Sequence, residues 1–176
     1  MSSITLRHAS PEDIPTILGF IKDLAEYEKE PDAVKATPEL LKENLFEKNH
    51  ARVLLAEESD SSQTESKTPI GMALYFFTFS TWTAKPSLYL EDLYVSSEKR
   101  NKGVGKVLFA GLGQVAKAKG CARMDWSVLD WNEPSIAFYT KTLGAKKMEG
   151  WSTMRLEEEG IEKLGSLTST PLPSIL

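Results

Sequence analysis

The sequence has few of the residues that bind metals or form covalent cross-links. It contains one cysteine, Cys121, among 176 residues. This excludes an internal disulfide and any metal site built from several cysteines. Its two histidines, His8 and His50, do not have a spacing typical of metal ligands. We therefore expect a protein without a bound metal.

An excess of basic residues and long apolar runs are also missing. Asp and Glu number 25 against 21 Lys and Arg, which gives a net charge of −4. A general nucleic-acid-binding surface is basic instead. No apolar run approaches the length of a membrane span, and no apolar signal region opens the chain. The composition predicts a soluble, cytoplasmic protein that binds neither nucleic acid nor membrane.

The length and the loop composition favour one domain over residues 1–165. A chain of 176 residues can build one real core, whereas two full domains would be cramped. The polar stretch at 59–69 is typical of a hairpin loop rather than an interdomain linker. The tail at 166–176 has two prolines and little periodicity, so we expect it to be loosely held.

Hydrophobic periodicity predicts alternating strands and helices. The order is β-α-α-β-β-β-α-β-α-β, with strands at 4–7, 52–57, 70–79, 88–95, 123–129 and 151–156, and helices at 11–28, from Thr37 onward, at 103–119 and at 133–144. Hairpin-linked strands followed by β-α-β crossovers predict an α/β fold with a mixed sheet and helices on its faces. Ligands of such folds bind near strand ends where helices begin.

One such junction is the basic, glycine-containing turn "EKRNKGVGKVLF" at 98–109. It is not a nucleotide-binding P-loop, because Val107 follows Lys106 where Ser or Thr is required. It is not a dinucleotide fingerprint either, because Leu108 stands where the third glycine is needed. The remaining pattern, Arg100-x-x-Gly103-x-Gly105, fits an anion-binding helix start or a tight turn without a ligand.

The strand "LYLEDLYV", the R-x-x-G-x-G turn, the strand "SVLDWN" and the helix "EPSIAFY" together resemble the GNAT superfamily of N-acetyltransferases. The resemblance covers roughly residues 4–160 and is strongest to the diamine acetyltransferase group. It implies a central, mostly antiparallel sheet flanked by helices. The segments "FSTW", "KGC" and "VLDWN" are more similar to the thialysine Nε-acetyltransferase branch than to the spermidine/spermine branch.

The resemblance implies acetyl-CoA as the co-substrate. Main-chain groups of Leu93, Tyr94 and Val95 would contact its pantetheine arm. Seven residues would surround its pyrophosphate, namely Arg100, Asn101, Lys102, Gly103, Val104, Gly105 and Lys106. Asn132 and Ser135 are either coenzyme ligands or part of a helix cap, or both.

It also implies residues for proton transfer. Glu91 would collect the proton of the amine through a water molecule, with Asp92 as the competing choice because neighbouring strand residues point to opposite faces. Tyr139 would act as the general acid that protonates the departing thiolate, and it would lie near the coenzyme. For all three, the alternative is a structural role in hydrogen bonding or packing.

The acceptor would be a small primary amine. Tyr27, Glu28, Trp82, Glu91 and Asp92 are the candidate substrate-binding residues. Polyamine-specific members carry an aspartate in the loop where this chain has Ser80 and Thr81. This departure favours a shorter amine with its own carboxylate, such as thialysine or a lysine analogue. The relatives are usually homodimers, so we expect a homodimer.

Three other functions stay open from the sequence. The chain could be a spermidine/spermine N1-acetyltransferase, a non-catalytic acyl-CoA-binding module, or an enzyme that acetylates protein lysines. An acyl-cysteine mechanism is not expected, because no histidine can be placed beside Cys121. Direct attack of the amine on acetyl-CoA is therefore the predicted chemistry.

Overall fold

The computed structural model describes residues 3–59 and 67–167. They contain a sheet of five strands in sequence order: β1 (Ser3–His8), β2 (Arg52–Ser59), β3 (Lys67–Ser80), β4 (Lys85–Val95) and β5 (Arg123–Trp126). The first three pairings are antiparallel, and β4 pairs with β5 in parallel. The predicted mixed, mostly antiparallel sheet flanked by helices is thus confirmed.

The described helices are α1 (Ile14–Tyr27), α2 (Pro38–Leu41), α3 (Val104–Lys119), α4 (Glu133–Ala137) and α5 (Glu158–Gly165). Both α2 and α4 continue directly into a π-helical segment, at Lys42–Glu47 and Phe138–Thr142. Short 3-10 turns lie at Pro11–Asp13, Pro31–Ala33 and Ser97–Lys99. All four predicted helices are therefore present, although two of them are irregular.

The predicted strand at 151–156 is wrong, because residues 151–157 have no regular secondary structure. A strand needs a paired neighbour to be stable, and strand-favouring residues alone cannot supply one. Trp151 and Met154 are accordingly 72% and 88% exposed. Helix α5, which follows, was not predicted. The strand predicted at 123–129 ends earlier, at Trp126.

The chain contacts divide the protein into two units, residues 1–127 and 128–176. The first unit holds the whole sheet together with α1, α2 and α3. The second holds α4 and α5.

The predicted hairpin loop joins β2 to β3, since Ser59 lies opposite Lys67 in the pairing of these strands. Residues 60–66 of that loop lie outside the described residues, as do residues 168–176 of the tail.

The sheet of the first unit is covered on both faces. On one face, a buried cluster combines Ile17 of α1 and Leu45, which follows α2, with strand residues. The strand residues are Val53, Leu55, Met72, Leu74 and Tyr94. On the other face, Gly111 of α3 lies against Leu6 and Leu54. Neighbouring strand residues such as Leu54 and Leu55 point to opposite faces. Helices α1 and α3 therefore lie on opposite faces of the sheet.

A network of charged residues fixes the start of α1. Arg7 of β1 contacts Asp13 at 2.6 Å and Glu57 of β2 at 2.8 Å, and the Ser10 backbone N–H donates to Asp13. The hydrogen bonds from Arg7 lower the pKa of Asp13 to about 2. Both carboxylates are buried, so the network compensates their desolvation and holds α1 against β1 and β2.

Gly71 of β3 marks a close approach between β3, β4 and α3. A Cβ atom at this position would lie 2.7 Å from the backbone oxygen of Tyr94 and 3.4 Å from Val104. Backbone cannot move aside as a flexible side chain can. We expect Gly71→Ala to destabilise the protein by about 1–3 kcal/mol and to displace the end of β4.

Urea unfolding measures this effect, and Gly113→Ala on the exposed side of α3 is the matched control. No atom lies within 4 Å of a Cβ added there, and alanine favours helix by about 0.5–1 kcal/mol over glycine. The control should therefore gain stability. Equal effects of the two substitutions would contradict the close approach.

Candidate functional site

Strand β4 contains a β-bulge at Glu91. Leu90 lies opposite Tyr75, and Asp92 lies opposite Leu74, so Glu91 is an extra residue without a partner on β3. Tyr75 and Leu74 are neighbours and point to opposite faces. Leu90 and Asp92 consequently point to opposite faces too, although they are two positions apart. The choice between Glu91 and Asp92 assumed that successive side chains of the strand alternate between its two faces. The bulge interrupts that alternation at Glu91.

The bulge places Asp92 on the α1 face, where it meets other carboxylates. Its partner Leu74 belongs to the buried cluster with α1. Asp92 is half-buried, and Glu91 beside it is exposed. Burial, together with the charges of Glu91 and Glu28, raises the pKa of Asp92 from 3.8 to about 6. Partial burial also raises the pKa of Glu28, the C-cap residue that directly follows α1.

Such an arrangement attracts cations and can exchange a proton near neutral pH. Three carboxyl groups that repel one another are stabilised by a positively charged ligand. A carboxyl group with a pKa near 6 is ionised at pH 7.5, yet it is basic enough to accept a proton. Perturbed groups of this kind are common at functional sites. The structure thus brings together three of the predicted site residues, Glu28, Glu91 and Asp92.

The end of β4 beyond the bulge has one unpaired edge. In the described sheet, β5 pairs with Ser87–Leu90 only, so its pairing stops at the residue before Glu91. On its other edge, the segment from Leu93 to Val95 pairs with β3. An extended ligand with amide groups can add to such an edge as a strand would. This geometry fits the main-chain contacts expected of Leu93, Tyr94 and Val95.

The turn after β4 leads directly into helix α3. Asn101 and Gly103 both have left-handed backbone conformations, with φ of 61° and 87°. Gly103 is the N-cap residue and has no side chain with which to cap the first amides of the helix. The N–H groups of Val104, Gly105 and Lys106 therefore stand at the positive end of the helix dipole, where anions bind. The turn fits a phosphate group.

Gly103→Val should weaken coenzyme binding through backbone strain rather than through a clash. A Cβ atom at Gly103 would have no neighbour within 4 Å, but a β-branched residue is strongly disfavoured at φ of 87°. We expect at least a tenfold weaker affinity for coenzyme A by calorimetry. Gly120→Val, at the other end of α3, is the matched control: it has φ of 72° and no atom within 4 Å of an added Cβ, and it should keep wild-type affinity. Unchanged binding in Gly103→Val would contradict the assignment of the turn.

Two side chains of this region contact helix α1. The Tyr94 hydroxyl donates a hydrogen bond of 2.8 Å to Asp23. Burial and this contact raise the pKa of Tyr94 to about 12. The Arg100 guanidinium stacks on the Tyr27 ring, with its Cζ 4.7 Å from the ring centre. Asp23 is not among the residues predicted for the site, although helical spacing was an available signal, since Asp23 and Tyr27 are one turn apart on α1.

Three predicted site residues belong to the second unit. The Asn132 side chain is buried and accepts a hydrogen bond of 3.3 Å from the Ser135 backbone N–H. The predicted helix cap of α4 is thus present. Tyr139 lies in the π-helical segment, half-buried, with its ring 5.6 Å from that of Phe138. Single π-helical turns occur frequently at functional sites.

Trp82 lies in the turn between β3 and β4 and is 86% exposed. Seven positions separate the first residue of β4, Lys85, from Asp92. At about 3.3 Å per residue, this is a distance of roughly 20 Å. The structure therefore does not bring Trp82 to the three carboxylates of its own chain, and its predicted contact with substrate stays a prediction.

Cys121 is half-buried just before β5, and burial raises the pKa of its thiol. This is unfavourable for a thiolate nucleophile.

Over residues 3–59 and 67–167, no group of three His, Cys, Asp or Glu side chains is arranged to hold a metal ion. None of the helices in these residues combines the length and apolar character that a membrane span requires.

The sequence matches known acetyltransferases. Residues 18–145 match the model of the "Acetyltransferase (GNAT) family". Thialysine N-epsilon-acetyltransferase of Sus scrofa is 38% identical over 93% of this chain and 98% of its own length. Spermidine/spermine N(1)-acetyltransferase-like protein 1 of Homo sapiens is 36% identical over 90% of this chain, which corresponds to 23% of that longer protein.

Solved structures share the fold. An integron cassette protein from the mobile metagenome of V. cholerae is 25% identical, with a TM-score of 0.72, over 93% of this chain and 98% of that one. A probable acetyltransferase is 20% identical, with a TM-score of 0.70, over 87% and 97%. The second likeness concerns the fold alone.

Proposed function

Since the chain belongs to the GNAT acetyltransferase family, we propose that it transfers an acetyl group from acetyl-CoA directly to the primary amine of a small molecule. The acceptor is a thialysine- or lysine-like amino acid, or a diamine. The observation that carries the proposal is the half-buried Asp92, with its pKa of about 6, beside Glu28 and Glu91. This cation-attracting group lies on the same strand as the edge that fits the coenzyme.

The first unit has the features needed to hold acetyl-CoA. The unpaired edge of Leu93–Val95 suits the amide-bearing arm, and the start of α3 suits the pyrophosphate. Lys102 and Lys106 are exposed at the turn and add positive charge. When bound, acetyl-CoA supplies the activated acetyl group. The protein must then provide a neutral amine and a proton for the thiolate.

The carboxylates deal with the amine proton. An alkyl amine titrates near pH 10, so only about one molecule in a thousand is neutral at pH 7, and deprotonation costs roughly 4 kcal/mol. Glu28 and Glu91 attract the ammonium form, and Asp92 accepts its proton. The alternative within the same pair is that Glu91 accepts the proton through a water molecule while Asp92 holds the amine.

Tyr139 is proposed as the general acid. A tyrosine hydroxyl is protonated at neutral pH and can give its proton to the departing sulfur. Asn132 and Ser135 are proposed as coenzyme contacts in addition to their role in the cap. The homodimer implied by the resemblance and the cytoplasmic location predicted from the composition stay predictions.

The chain lacks a carboxylate at the β3–β4 turn. Ser80 is buried at the end of β3, and Thr81 begins the turn. A long polyamine would lose one anionic partner there, which favours a short amine that carries its own carboxylate. The similarity to the spermidine/spermine acetyltransferase-like protein keeps spermidine as the second candidate acceptor.

A panel of acceptors tests the proposal. Thiol release from acetyl-CoA is measured with thialysine, lysine, ornithine, putrescine, spermidine, spermine and a lysine peptide. We expect turnover of thialysine or lysine to exceed that of spermidine. Preference for spermidine would favour the second candidate. Coenzyme binding without any turnover would favour a non-catalytic module, and lack of coenzyme binding would contradict the proposed function itself.

A further inference from the structure

Arg100 lies in the turn between β4 and α3, but its side chain points away from the start of α3. Its Nε donates a hydrogen bond of 3.1 Å to the carbonyl oxygen of Val95. Its Cζ lies 4.7 Å from the centre of the Tyr27 ring. Tyr27 is the last residue of α1, which covers the sheet face opposite α3. The guanidinium therefore extends past the end of β4 toward the α1 face.

A second contact attaches α1 to the end of β4. The Tyr94 hydroxyl on β4 donates to Asp23 on α1 at 2.8 Å, one helical turn before Tyr27. The last turn of α1 is thus attached to β4 by a hydrogen bond and to the turn at Arg100 by ring stacking. Glu28, whose charge acts on Asp92, follows this turn of helix directly. Any shift of the end of α1 moves Glu28.

We propose that Arg100 is a positioning residue: it attaches the coenzyme turn to the end of α1 through Tyr27, and its side chain is not a pyrophosphate ligand. The inference rests on the proposed function, because it takes the turn at 100–106 as the coenzyme site. The pyrophosphate is then held by the amides at the start of α3 and by the lysines of the turn. Arg100 contributes through Tyr27.

This contact links the two substrates. Coenzyme that orders the turn also fixes the Arg100 side chain, and with it Tyr27 and the neighbouring Glu28. Coupling between two binding sites is reciprocal, so the end of α1 must in turn affect coenzyme affinity. The Tyr27 ring lies on α1, outside the coenzyme turn, and it should nevertheless influence how tightly the coenzyme binds.

Calorimetric titration with coenzyme A tests the inference without an acceptor. Wild type is compared with Tyr27→Leu, Arg100→Lys and the double variant. We expect each single substitution to raise Kd roughly two- to fivefold, the range of an exposed cation–π contact. The double variant should bind no more weakly than either single variant. Tyr27→Phe keeps the ring and should restore wild-type affinity.

Arg100→Lys separates charge from geometry. Lysine keeps the positive charge but lacks the planar group that stacks on the ring and binds Val95. If Arg100 contacted the pyrophosphate chiefly as a charge, Arg100→Lys would bind like wild type, whereas Arg100→Gln would bind more weakly and would depend less on salt than wild type does. That result, or additive effects of the two substitutions, would overturn the inference.

The two proposals fail differently. Unchanged Kd in Tyr27→Leu, with normal binding by wild type, overturns the positioning role and leaves the acetyltransferase proposal intact. Failure of wild type to bind coenzyme A overturns both. Because Arg100 is exposed, Arg100→Gln keeps the test decisive if Tyr27→Leu does not fold: a salt dependence of Kd equal to that of wild type supports the positioning role, and a smaller one overturns it.

Discussion

An Asp92→Asn variant should lose about 100-fold in kcat/KM for the amine while its KM for acetyl-CoA changes little. The loss has two sources: the amide cannot accept the proton, and it does not attract the ammonium group. General base catalysis contributes about 10²–10⁴-fold. Steady-state kinetics with the best amine of the panel measures the effect. Wild type should also lose activity below pH 6, where Asp92 becomes protonated, and the variant should lack this dependence.

Two comparisons isolate the role of Asp92. Asp125→Asn removes a carboxylate from β5 that pairs with Arg123, and it should change kcat/KM less than twofold. Glu91→Gln removes the exposed neighbour and should cost less activity than Asp92→Asn. A larger loss in Glu91→Gln, with the dependence on pH 6 transferred to that residue, would make Glu91 the proton acceptor.

The same substitution should stabilise the protein at neutral pH. The pKa of Asp92 is higher in the folded state, about 6, than its ordinary 3.8, so the unfolded state gives up this proton more readily. The resulting penalty is absent below pH 3.8, grows as pH rises to 6 and is then constant, on the order of 3 kcal/mol. Asp92→Asn should therefore unfold at a higher temperature than wild type at pH 7.5, and this difference should vanish near pH 3. An equal gain at both values would contradict the raised pKa.

Tyr139→Phe should lower kcat about 100-fold and leave the affinity for coenzyme A nearly unchanged. The substitution removes only the hydroxyl that would protonate the sulfur. Phenylalanine is already present next to it, at Phe138, so the segment accepts such a ring. Single-turnover and steady-state rates measure the loss. Thr140→Ala, which removes an exposed hydroxyl that donates to Ile136 within the same segment, is the control and should retain kcat. Full activity in Tyr139→Phe would exclude Tyr139 as the general acid.

Much of the fold could be predicted because its signals are local. The helix predicted from 103 begins at Val104, and the glycine predicted to open it adopts a left-handed conformation. The strand predicted at 151–156 failed because a strand depends on a neighbour that the sequence does not identify. The segment contains residues that favour strands, such as Trp151 and Thr153, but residues 151–157 form no strand.

The candidate site was predictable as residue types but not as geometry. The resemblance pointed to Glu91 and Asp92, and neither the bulge nor the raised pKa of Asp92 could be derived from it. A bulge is a property of two paired strands, and it becomes visible only in the register of β4 against β3. Likewise, the contact between Arg100 and Tyr27 joins distant parts of the chain, and only the folded structure brings them together.

The bulge at Glu91 also shows how a sheet can acquire an opening by insertion. If Glu91 were deleted, Leu90 and Asp92 would still oppose Tyr75 and Leu74, and regular alternation would give both residues the faces they have now. The β3–β4 ladder therefore does not require this residue. Bulges bend the strand that contains them, and the β5 pairing stops just before this one. A chain shortened by one residue here would keep its β3–β4 ladder, but β4 would be free to extend its pairing with β5 and so to close the edge that is proposed to bind the coenzyme.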